Sequence, residues 1–73
     1  MERHNIEVFK TNIIRLEDAA QILELLNSKY PKHNINFDIE DCDKILRIEG
    51  IEIEKQKIIN LLFGEGFQCV VLL

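Results

Sequence analysis

"NINFDIEDCDKILRIEG", residues 34–50, decides the fold. Its first part alternates, with Ile35, Phe37 and Ile39 on one side and Asn34, Asn36, Asp38 and Glu40 on the other. Successive side chains of a strand point to opposite faces, so this is a strand with one face on a core. Residues 44–50, "KILRIEG", alternate in the same way, with Leu46 and Ile48 inward and Arg47 and Glu49 outward. Between them "EDCD" is polar and rich in turn formers. The two strands therefore read as a hairpin with residues 40–43 at its tip.

The rest of the chain falls into place around that hairpin. "IEVFK", residues 6–10, is short and rich in β formers and reads as a strand. "TNIIR" connects it to "LEDAAQILELLNSKY", where Leu16, Ala19, Ala20, Ile22, Leu23, Leu25 and Leu26 recur at helical spacing. Glu17 and Asp18 suit the first turn of that helix, and Pro31 ends it near Tyr30. After the hairpin, "EIEKQKIINLLF" predicts a second helix that clusters Ile58, Ile59, Leu62 and Phe63. Gly64 and Gly66 are placed to terminate it in the left-handed conformation. "FQCVVLL" predicts a last strand. The order predicts an α+β fold, a ferredoxin-like βαββαβ sandwich filling residues 1–73 as a single domain. Four antiparallel strands take the spatial order 4-1-3-2, with two helices on one face.

Composition narrows the function classes. A domain of 73 residues buries only about 60% of its unfolded surface, so a staple or a partner chain helps it. A hydrophobic content of 47% excludes a disordered chain. The net charge of −4 disfavours nucleic acid as a partner, since phosphate binding needs a basic face. The apolar runs "VVLL" and "IINLLF" fall far short of the roughly 20 residues of a membrane span, so no membrane partner is expected. No basic stretch leading into an apolar one opens the chain. Its two cysteines then read as reduced thiols of a cytoplasmic protein.

Topology decides which residues meet. Connections 11–15, 40–43 and 64–66 share one end of the predicted sheet, with Cys42 among them. His4 and His33 fall at the other end, so neither joins Cys42 on one ion. Cys69 lies two strands from the third strand, about 9–10 Å away laterally. A disulfide needs Cα atoms within about 7 Å, which argues against a Cys42–Cys69 bridge.

The strand–helix order, the hairpin "DIEDCDKILRIEG" and the closing "EKQKIINLLFGEGFQCVVL" resemble the heavy-metal-associated domains, the small ferredoxin-like copper chaperones and metal-ATPase domains. The resemblance covers nearly the whole chain as pattern and length. That family carries a Met-x-Cys-x-x-Cys loop after its first strand, whose two thiolates bind a soft ion such as Cu(I). Here the region reads "FKTNIIRLEDAA", with no cysteine and no methionine. Ile13 or Ile14 stands where the family buries its methionine. The resemblance thus implies a degenerate member that kept the scaffold and lost the site.

Two readings of Cys42 stand. In one it is a lone thiolate with Asp41, Asp43 or Glu65 as metal-ligand candidates, a poor soft-metal set. In the other it is a small residue in a turn built by Asp41 and Asp43, and the surrounding acids oppose thiolate formation. Cys69 alternates with Phe67 and Val71 and reads as a buried hydrophobe. The acids and bases around the upper end, including Glu17, Asp18, Lys10 and Arg15, read as a mixed solvated surface. Val70 and Leu72 then face away from the helices, and Phe9 and Ile45 are expected to join them there. These four form the expected interaction surface, beside a final edge strand with neither proline nor charge to protect it.

The expected function is a small non-catalytic binding or interaction domain with no cofactor, working through a protein partner or self-association at its last strand. The alternative is a residual Cu or Zn carrier that uses Cys42, possibly across a dimer. No nucleophile–base pair or phosphate-binding glycine loop points to an enzyme.

Overall fold

The computed structural model describes residues 4–38 and 44–72. The elements are β1 (His4–Thr11), α1 (Leu16–Lys29), β2 (Asn34–Asp38), β3 (Ile45–Ile51), α2 (Lys55–Gly64) and β4 (Cys69–Val71). The strands form one antiparallel sheet in the order β2-β3-β1-β4, which read from the β4 side is 4-1-3-2. The fold is therefore α+β.

Register explains the core. Phe9 lies opposite Leu46 on one side and Val71 on the other; Ile35 lies opposite Ile48, and Thr11 opposite Cys69. These residues share one face. Ala19, Ile22 and Leu26 of α1 and Ile58 and Leu62 of α2 close over it in a single buried cluster. Burial of this kind supplies most of the favourable free energy of a small domain.

The helix ends follow from their residues. α1 stops at Lys29, just before Tyr30 and Pro31, since the residue preceding proline avoids helical geometry. α2 ends in a paired cap: Phe67 N–H donates to the Leu62 carbonyl at 2.9 Å and Gly66 N–H to the Phe63 carbonyl at 3.0 Å. Gly66 has φ +95°, the left-handed conformation this cap requires. Gly64 does not share that role, because it is the last residue of the helix itself.

Two expectations about facing are corrected, and a third holds without the exposure it implied. Phe9 is fully buried in the core instead of lying on the outer face. Ile45 does lie on the outer face, but it is also buried, between Lys10 and Asp38 of the neighbouring strands. Leu16 and Phe63, assigned to the apolar faces of their helices, are exposed. The buried stripe of α1 is Ala19, Ile22 and Leu26, and that of α2 is Ile58 and Leu62.

Candidate interaction surface

The outer sheet face is read directly from the register. On β1 it carries His4, Ile6, Val8 and Lys10; on β4 it carries Val70, with Leu72 following in the same phase. Ile6 is 56% exposed, Val70 57% and Leu72 37%. Leu72 is held beside Val8 by its N–H, which donates to the Val8 carbonyl at 2.8 Å. The apolar patch is thus Ile6, Val8, Val70 and Leu72. Two of the expected residues, Val70 and Leu72, belong to it. Phe9 and Ile45 do not, and Ile6 and Val8 take their place. In "IEVFK" Ile6 and Val8 are two apart and must share a face, but the pattern does not say which face.

At the upper end, the loop after β1 is tied down by backbone and hydroxyl bonds. The Thr11 hydroxyl donates to the Lys44 carbonyl at 2.8 Å and accepts from Ile13 N–H at 3.3 Å. Asn12 clamps the start of β4: its N–H donates to the Gln68 carbonyl, and its side-chain oxygen accepts from Gln68 N–H at 2.9 Å. This clamp aims Ile13 into the core, where it is fully buried, while Ile14 stays outside. The metal-ligand candidates Cys42, Asp41 and Asp43 lie outside the described residues. Glu65 is exposed at the end of α2. Among the described residues no group of three or more His, Cys, Asp and Glu side chains is placed to hold a metal ion.

Cys69 is buried under the helices, and desolvation pushes its thiol up to about 12 from an ordinary 9.0. A thiol this reluctant to ionise is a poor ligand or nucleophile. The sign for stability follows. The folded thiol keeps its proton above pH 9, where the unfolded thiol loses it, so the unfolded state binds fewer protons there. The Cys69 contribution is fully present below about pH 9 and is lost as pH rises toward 12. Urea unfolding of the protein and of Cys69→Ala between pH 8 and 11 checks this: the protein should lose more stability over that range than the variant does. In a Cys42→Ser background, Cys69 should react with a thiol reagent at pH 8 only at the rate at which the fold opens.

At the lower end, His4 and His33 both line a cleft of about 440 Å³, with Lys32, Asn34, Glu49, Gly50 and Ile51. They do different things there. His4 is exposed, with Nε2 at 2.8 Å from Glu49 Oε2. The His33 ring lies against Gly50, where an added Cβ would sit 2.6 Å from its Cδ2, and meets Tyr30 edge-on at 5.5 Å between centroids. Both ring nitrogens of His33 are buried without a hydrogen-bond partner. Such orphaned groups cost on the order of 1–3 kcal/mol each.

Among the described residues no helix is long and apolar enough to cross a membrane. Comparison of the chain with models of known protein families, with curated proteins and with solved structures finds no match in any of the three.

Proposed function

We propose that this chain is a small non-catalytic interaction module whose working surface is the outer sheet face beside β4. The carrying observation is the exposed apolar patch of Ile6, Val70 and Leu72, next to a strand whose far edge pairs with no other strand among the described residues. Apolar side chains beside unpaired backbone groups favour pairing with another polypeptide. The small size of the domain adds to that tendency, since burying more surface stabilises it. The partner is a second copy or another protein, bound without a cofactor, and the compartment is the cytoplasm.

We read the architecture as the ferredoxin-like βαββαβ sandwich and the chain as resembling a heavy-metal-associated domain that has lost its cysteine pair. Two observations support this. The loop after β1, where that family holds its thiolates, is occupied by bonds from Thr11 and Asn12 and by the buried Ile13. The thiol of Cys69 is held protonated by burial.

Sedimentation velocity across a concentration series tests the self-association arm. The expected result is a reversible dimer whose dissociation constant rises at least about tenfold, or roughly 1.4 kcal/mol, in Val70→Asp, with unchanged circular dichroism. A charge at an exposed site leaves the monomer intact but opposes burial of the patch. A monomer at every concentration would eliminate the second copy as the partner. A dimer indifferent to Val70→Asp would move the surface elsewhere.

A further inference from the structure

Two neighbouring rungs of the outer sheet face carry matched chemistry. In the first, Asn36, Arg47 and Val8 lie side by side across β2, β3 and β1. In the second, two residues along each strand, Asn34, Glu49 and Ile6 do. Both rungs read amide, charge, aliphatic in the same direction, and the charge changes sign between them. Residues two apart on a strand share a face, so all six side chains point the same way. Asn34, Asn36, Arg47 and Ile6 are exposed, and Glu49 and Val8 are partly buried.

The two charges are open to a partner. Among the described residues no ion pair uses Arg47, although Glu49 stands only two residues away. Glu49 Oε2 lies 2.8 Å from His4 Nε2, which holds the carboxylate along the face and leaves Oε1 to accept from elsewhere. Arg47 and Glu49 cancel, so these rungs are neutral in a chain whose net charge is −4. Apposing two such faces brings no net charge together.

The face fits itself under a two-fold rotation. An axis lying across the strands, over Glu7 and Ile48, passes between the two rungs. It lays the first rung of one copy on the second rung of another. Arg47 then meets Glu49 of the second copy, Val8 meets its Ile6, and Asn36 meets its Asn34, with the reciprocal contacts on the other side of the axis. Cation lies on anion and apolar on apolar, and an amide, which both donates and accepts, lies on an amide. Packed sheets stand about 10 Å apart and cross at about 30°. Positions beside the axis therefore stay matched while distant ones diverge, and these two rungs are the ones beside it.

We propose that this chain forms a two-fold dimer through its outer sheet face, with Arg47 of each copy paired to Glu49 of the other. The inference rests on the surface proposed above and names its occupant. Self-complementarity selects a second copy: an isologous interface requires a face to match itself under rotation, and a different protein imposes no such requirement. Leu72, held beside Val8, extends the apolar end of the first rung, and Val70, opposite Lys10, lies one step farther out at the rim.

The test is sedimentation velocity on the protein, on Arg47→Glu, on Glu49→Arg and on an equimolar mixture of the two variants. Either reversal sets like charges face to face on both sides of the axis, so each variant alone should dimerise at least about tenfold more weakly than the protein. The mixture should recover the dissociation constant of the protein to within about threefold, because both apposed pairs of the mixed dimer again have opposite charge. The double variant Arg47→Glu/Glu49→Arg, which exchanges the two charges within one chain, should dimerise as well as the protein. Circular dichroism should be the same throughout, and variants that failed to fold could not restore one another on mixing. The inference is overturned if either reversal leaves the dimer unchanged or if the mixture stays as weak as its components. A dimer that Val70→Asp weakens but mixing does not restore overturns this axis and leaves the outer face as the working surface. A protein that is monomeric at every concentration overturns the inference and leaves only another protein as the partner.

Discussion

Phe9→Ala is expected to lower the unfolding free energy by about 3–5 kcal/mol, the usual cost of truncating a buried phenylalanine. Phe9 is fully buried at the centre of the sheet, between Leu46 and Val71, and under the helices. Removing its ring leaves a cavity walled by three strands, and ladders on both sides of β1 prevent the backbone from closing it. A domain of this length has on the order of 4–11 kcal/mol of stability in total. The variant should therefore lose between about a quarter and all of that stability, with a urea midpoint lowered in proportion. A loss below about 1 kcal/mol would place Phe9 on the outer face, where truncating an exposed side chain costs little.

The second large effect separates two neighbours. Ile13→Ala should cost about 2–4 kcal/mol and Ile14→Ala less than about 0.5 kcal/mol. The two residues have the same side chain and sit side by side in one loop, yet Ile13 is fully buried and Ile14 is 70% exposed. The Thr11 hydroxyl sets the difference by bonding Ile13 N–H on one side and the Lys44 carbonyl on the other, which fixes the direction in which the loop leaves β1. Chemical denaturation of both variants decides the matter. Equal losses would mean that the loop is not anchored as described. The outcome also bears on the proposed function, because this loop is where the heavy-metal-associated domains keep their thiolates, and here an isoleucine occupies its inner position.

The sequence by itself determined the element order and the pairing of the two hairpin strands. Strict alternation in 34–38 and the looser alternation in 44–50 read as strands, and a polar connection of four or five residues joins antiparallel neighbours. It also determined the inward face of β4, because Phe67, Cys69 and Val71 are two apart and leave Val70 and Leu72 outside. Pro31 and Gly66 were legible for the same reason: each restricts or permits a backbone conformation locally, without help from the rest of the fold.

Only the tertiary structure decided the facing of β1. "IEVFK" presents Ile6 and Val8 on one side and Glu7 and Phe9 on the other, so apolar residues occur on both sides and periodicity cannot choose. Pairing chooses: Phe9 lies opposite both Leu46 and Val71, whose own inward facing is fixed, and a one-residue slip of β1 would turn Phe9 to the outer face. The apolar patch followed from that choice, as Ile6 and Val8 moved to the outer face when Phe9 moved in.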